Sequence, residues 1–324
     1  MVRSAIIFGN GLGMAVDSQY FQLAEGLSSA WNATDTFTSD HKRLIACAIP
    51  GVDDVNFPQQ EDQLDKMQMA LVALNFLKSL EKNNVEWLSG NSRELPTAFR
   101  RFVHAVGMYF HASNHALPLN FVDSLSTYLS QTKSHVGVLN YDNLLYDALT
   151  GTNLLAGFTK GSLIDGFTAH GFSPTNLERF YPSRLGWYMH LHGSPLFIGN
   201  KKVMGQARAF LEATDECHIV LTHVRHKPSI ISSSPILSEY WERLSIALDE
   251  AGCVILFGYA GDDVHLNDRI KISAAGKNIH VIEWQGADNQ PNRETYWQSR
   301  FPAFKIILHR QGNILDFRDW ATLA

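Results

Sequence analysis

The sequence predicts an α/β protein: a Rossmann-like, doubly wound parallel sheet carrying a large helical insertion. Three observations predict it. Short apolar runs, mostly β-branched and bounded by Gly or Asn, recur along the chain, as strands buried on both faces do. Stretches with apolar residues at three- and four-residue steps lie between them. The first apolar run leads straight into a glycine-rich turn, a strand-to-helix junction typical of nucleotide-binding sheets.

The first strand is 5–8 (AIIF). Leu64, Met67, Leu71, Leu74 and Leu77 then place one apolar face on a helix over 61–82, and 95–110 and 121–129 repeat the pattern. The next strands are 135–139 (HVGVL), 187–191 (WYMHL) and 219–222 (IVLT). A helix over 235–248 opens with Pro after three serines, a helix-start signal. Strands at 253–257 (CVILF), 279–283 (IHVIE) and 305–308 (KIIL) follow, and a helix near 314–320 comes last. Strands alternating with helices imply parallel crossovers. The long interval between the first two strands reads as a helical insertion, about 58–132, in a single domain spanning 1–324.

Composition limits the function. In 324 residues, 45% are hydrophobic and 18% charged, enough apolar material for a core and too much for disorder. Lys+Arg is 27 against 32 Asp+Glu, so the chain lacks the basic footprint of a direct nucleic-acid or polybasic membrane binder. The three cysteines, Cys47, Cys217 and Cys253, are scattered. They cannot form a four-cysteine zinc site, they argue against a disulfide framework, and they suit a reducing, cytoplasmic compartment. No apolar run approaches the roughly 18 residues of a membrane-spanning helix, and the opening run is too short for a signal peptide.

Ligands of open α/β sheets bind beyond the carboxyl ends of the strands, and four such junctions carry unusual residues. The first is Gly9-Asn10-Gly11-Leu12-Gly13, where glycines would admit a phosphate close to the backbone. Its G-x-G-x-G spacing is not the dinucleotide fingerprint. The second, Asn140-Tyr141-Asp142, supplies an amide and a carboxylate, where a helix cap alone needs one of them. In the third, His190-Leu191-His192-Gly193, two histidines two residues apart would share one strand face. They could be core histidines, metal ligands or a general base. The fourth, Gly258-Tyr259-Ala260-Gly261-Asp262-Asp263, pairs small residues with carboxylates suited to a ribose or a phosphate, and equally to a helix cap. Glu283 ends the following strand, where an acid could reach an adenosine ribose.

Taken in order, the Gly-Asn-Gly turn, Leu-Asn-Tyr-Asp, Leu-His-Gly-Ser and Gly-Tyr-x-x-x-Asp resemble the sirtuin-like NAD-cleaving domains of bacterial defence proteins. The resemblance spans residues 5 to 284 and is weak in the helical insertion. It implies that Gly9 and Gly11 contact NAD, and with the strand-end residues Asn10, Gly13, Gly258, Tyr259, Asp262 and Glu283 they form the expected NAD-binding set. It also implies that Asn140 and Asp142 hold the nicotinamide-ribose end and that His192 is the catalytic base; His190 has no counterpart. Sirtuin deacylases carry a four-cysteine zinc module that this chain cannot build, so the resemblance points to hydrolysis of NAD itself, without zinc.

The expected function is therefore an NAD+ glycohydrolase, releasing nicotinamide and ADP-ribose as a regulated effector of antiphage defence. Such an effector would be restrained in trans, by homo-oligomerisation or by a partner protein. Two alternatives stand beside it: a non-catalytic NAD or ADP-ribose sensor, and a metal-dependent hydrolase using His190 and His192 with His223, His226, Asp263 or His265.

Overall fold

Ser4–Phe8 (β1) is buried at all five positions and has a parallel neighbour on each side. It is the centre of the computed structural model, which describes residues 2–79, 90–155, 161–179, 182–202, 217–287 and 292–323. Helices α1 (Gly11–Val16), α2 (Leu23–Asn32), α3 (Ser39–Ala48), α4 (Asp65–Ser79), α5 (Gly90–His111) and α6 (Leu119–Thr132) follow β1. Next come β2 (His135–Val138), α7 (Leu144–Gly151) and the two-residue strands β3 (Leu163–Ile164), β4 (Phe167–Thr168) and β5 (Gly171–Phe172). The chain continues through β6 (Gly186–His190), β7 (Gly193–Ile198), β8 (Lys201–Lys202) and β9 (Cys217–Ile219). It then runs through α8 (Lys227–Ser233), α9 (Pro235–Glu250), β10 (Cys253–Phe257), α10 (Val264–Ser273), β11 (Asn278–Trp284), α11 (Arg293–Arg300) and β12 (Lys305–Gln311).

The central sheet has seven parallel strands in the order β12-β11-β10-β1-β2-β6-β3. The chain builds outwards from β1 through β2 and β6, then returns to build on the other side through β10, β11 and β12. The order reverses between β1 and β10, which opens a crevice at their carboxyl ends, the usual ligand position in doubly wound sheets. The fold is the Rossmann-like one that the sequence predicts.

Several elements differ from the sequence reading. The run 219–222 is not a strand of the central sheet. The strand there is β9, which ends at Ile219 and pairs antiparallel with β7 in a separate three-stranded sheet. Burial of an apolar run does not say which sheet receives it. The segment 314–320 forms no α-helix; two 3₁₀ turns, Ile314–Asp316 and Trp320–Leu323, stand in its place. The helix over 61–82 begins as a 3₁₀ turn, Glu61–Leu64, before α4, and 80–82 lie outside the described residues. Helical structure between β1 and β2 starts well before residue 58, because α2 and α3 both pack on α5. Among the described residues no helix is long and apolar enough to cross a membrane.

Candidate functional site

The loops after β1 and β10 touch through their backbones. Gly11 N–H donates to Gly258 O at 2.8 Å, and Gly9 N–H donates to Phe257 O at 2.9 Å. A Cβ on Gly11 would lie 2.6 Å from Gly258 O, and one on Gly9 2.7 Å from the same atom. Gly258 itself has a φ of 58°, in the left-handed region that favours glycine. These glycines therefore let two loops meet across the crevice, and two of their N–H groups are used in doing so. Gly13 faces the Phe21 ring instead, where a Cβ would come within 2.8 Å, and it lines neither cavity described below. Asn10 is exposed at the crevice and is anchored by its Nδ2, which donates to Phe21 O at 3.0 Å.

Two cavities adjoin at this crevice and share Asn10, Tyr259 and Ala260. The first, about 450 Å³, lies over the ends of β1, β2 and β6 and contains Gly9, Asn140, Asp142, His192, Asp262 and Asp263. Residues 60–62 of the helical layer close it from above. The second, about 660 Å³, lies over β1, β10 and β11 and contains Gly11, Gly258, Glu283, Trp284, Arg293 and Tyr296.

Asn140 and Asp142 leave the end of β2 and are both buried. Neither Asn140 Oδ1 nor Nδ2 makes a close hydrogen bond among the described residues, although the Asn140 side chain is near enough to Asp142 to help offset the rise of its carboxyl. An amide with an unmet donor and an unmet acceptor on a cavity wall is a costly arrangement for the empty protein and a ready one for a polar ligand. Asp142 Oδ1 accepts from Leu144 N–H at 3.0 Å. Burial pushes its carboxyl up to about 6, against a partial offset from that N–H.

His190 and His192 do not act as a pair. β6 ends at His190, the chain turns, and Gly193 has a φ of 82°. The strand alternation that would align the two side chains stops before His192. His190 is packed among Tyr146, Tyr188 and Phe197, neither ring nitrogen has a partner among the described residues, and burial, with Lys202 next, holds it well below the ordinary histidine range. His192 instead lines the first cavity, with Nε2 2.9 Å from Asp263 Oδ2. The same Oδ2 accepts from Lys227 Nζ at 3.2 Å, and Lys227 reaches Glu61 Oε2 at 3.1 Å. Burial opposes both charges. His192 and Lys227 nonetheless hold Asp263 far below the usual carboxylate range, and Glu61 and Asp263 raise Lys227. Alongside, His226 lies 2.7 Å from Asp65 and His223 3.7 Å from Asp62, so residues 223–227 meet 61–65 in a row of polar contacts.

Two of the expected acids carry protein contacts of their own. Glu283 is buried and already engaged: Arg293 grips both carboxylate oxygens, at 2.7 Å from NH2 to Oε2, and Trp297 Nε1–H donates to Oε2 at 2.9 Å. Asp262 is exposed, accepting from Arg300 and from the Tyr296 hydroxyl. Its neighbour Asp263 is the one turned to His192. Asp263 closes the Gly-Tyr-x-x-x-Asp spacing and is the N-cap of α10, and the cap pattern was the available signal for it. No sequence signal marks Lys227, Glu61 or Arg293 as site residues, and they arrive from separate elements. Among the described residues no three His, Cys, Asp or Glu side chains are grouped to hold a metal ion. No protein-family model and no curated protein matches this sequence.

Proposed function

We propose that this chain is a sirtuin-like NAD+ glycohydrolase, which cleaves NAD+ to nicotinamide and ADP-ribose. One observation carries the reading. Two adjoining cavities of ligand size straddle the β1–β10 crevice, and the smaller one is lined by both His192 and the Asn140 amide, which makes no close hydrogen bond among the described residues. A molecule with two nucleoside halves joined by a narrow bridge suits two lobes that meet at Asn10, Tyr259 and Ala260. The nicotinamide riboside half belongs with Asn140, Asp142 and His192. The adenosine half belongs with Trp284, Tyr296 and the Glu283–Arg293 pair.

Breaking the nicotinamide–ribose bond leaves positive charge on the sugar, as in glycoside hydrolysis. The N–C1′ electron pair departs on nicotinamide, which leaves neutral and needs no proton. A water oxygen forms the new bond to C1′, and His192 takes the proton that this water loses. Asn140 orients the water and the ribose hydroxyls with its free donor and acceptor. Asp142, largely ionised above pH 6, offsets the developing charge or binds the nicotinamide amide. A cell holding such an enzyme must restrain it, so we assign it a regulated role in antiphage defence, controlled by self-association or by a partner protein.

The test is chromatography of NAD+ after incubation with the protein and with His192→Ala. Nicotinamide and ADP-ribose should accumulate with the wild type and fall by at least about 10²-fold with the variant. Stable NAD+ binding with no nicotinamide would make the chain a sensor and overturn the proposal.

A further inference from the structure

We propose that Asp263 is the positioning residue of His192, fixing the imidazole as its Nε2–H tautomer so that Nδ1 carries the lone pair offered to the cavity. The proposal rests on the reading of His192 as the base and adds which nitrogen acts and what sets it. His192 Nε2 and Asp263 Oδ2 are 2.9 Å apart, and both side chains are buried. An ionised carboxylate can only accept, so Nε2 must donate. His192 Nδ1 makes no hydrogen bond among the described residues and is left for the ligand.

Asp263 is itself held on several sides. Its Oδ1 accepts from Leu266 N–H at 3.0 Å as the cap of α10. Its backbone N–H donates to the Tyr259 hydroxyl at 3.0 Å, and that hydroxyl donates to Asn267 Oδ1 at 3.0 Å. Oδ2 is thus presented at a fixed position to Lys227 and His192, its partners among the described residues. Lys227 supplies the cation that keeps the carboxylate ionised inside the protein. When water attacks, its proton passes to Nδ1, the Nε2–H bond stays intact, and the resulting imidazolium lies against the Asp263 charge. Asp263 takes no proton, and its contribution is orientation and charge.

Asp263→Asn tests this with little risk to the fold, because Asn caps helices about as well as Asp and can keep the Leu266 contact. The amide can turn its NH2 towards Nε2 and so favour the wrong tautomer. Nitrogen-15 NMR of histidine-labelled protein, with the His192 signal identified by its loss in His192→Ala, should show the Nε2–H tautomer in the wild type. It should show a shift towards Nδ1–H in Asp263→Asn. Nicotinamide release should fall about 100-fold or more in Asp263→Asn with KM changed less than about threefold, and the same substitution should add less than about threefold to the loss in His192→Ala. An Nδ1–H tautomer in the wild type, an unchanged tautomer in Asp263→Asn, or additive losses would overturn the proposal. If the wild type releases no nicotinamide, the base reading fails, and the wild-type tautomer still decides whether Asp263 sets the ring.

Discussion

Lys227 Nζ lies 3.1 Å from Glu61 Oε2 and joins the first turn of the 61–79 helical segment to the wall of the His192 cavity. Lys227 is buried and also serves Asp263, so its loss would leave a carboxylate in the interior with the His192 N–H as its remaining side-chain partner among the described residues. Lys227→Met is therefore expected to lower stability by about 3 kcal/mol, read as a shift of the urea midpoint. Glu61 keeps more solvent, and Glu61→Gln is expected to cost less than about 1 kcal/mol. Equal midpoints for wild type and Lys227→Met would show that the buried charge is compensated from elsewhere.

Asn140 has a different balance. Its amide makes no close hydrogen bond among the described residues, so Asn140→Ala removes little beyond its contact with Asp142 and opens space towards an existing cavity. The free protein is expected to keep its stability within about 1 kcal/mol, while nicotinamide release drops about 10²-fold. Thermal unfolding and product chromatography on the same preparation check both halves. A large loss of stability would identify Asn140 as a structural residue instead.

These contrasts show which parts of the molecule could be read in advance. β1, β2 and β10 are mostly apolar and buried at every position because both faces of a parallel sheet are covered there, and such runs stand out in a sequence. β3, β4, β5 and β8 have two residues each, too few to carry a pattern. The two histidines part company because the period of two holds only inside a strand, and β6 stops at His190. Asn140 and His192 were legible because each follows its strand directly. Asp263 was harder: two adjacent acids look alike in sequence, and the cap on Leu266 turns one inwards. Glu61 and Lys227 lie far apart in the chain, and only the packing of the helical layer brings them together.

The Gly9 and Gly11 turn needs a separate test, because loss of function there has two possible origins. A Cβ on Gly11 would sit 2.6 Å from Gly258 O and 2.7 Å from Gly258 Cα, both backbone atoms with little freedom to move. Gly11→Ala is expected to destabilise the empty protein by about 1–3 kcal/mol, since the loops after β1 and β10 must separate. The urea midpoint without NAD+ measures this. A variant that unfolds like the wild type and loses only NAD+ affinity would show that the glycine serves the ligand and not the loop contact.

Asp142 links the site to pH. An unfolded aspartate titrates near 3.8, whereas burial pushes this one up to about 6. Between those values the folded chain keeps a proton that the unfolded chain has lost, so stability falls as pH rises from about 4 to about 6 and stays lower above that. The gap of about two units corresponds to about 3 kcal/mol. Asp142→Asn abolishes the titration, so at pH 7 it is expected to be more stable than the wild type by up to that amount. The advantage should disappear below pH 4, where both side chains are neutral. Urea midpoints at pH 4 and pH 7 for the two proteins measure the difference. The same substitution removes the negative charge placed to meet the ribosyl cation, so nicotinamide release should fall about 10²-fold at pH 7. A variant that gains stability while losing activity would mean that Asp142 is kept charged in the interior for its chemistry. A variant that loses both would mean that the carboxylate's bond to Leu144 matters more than its charge.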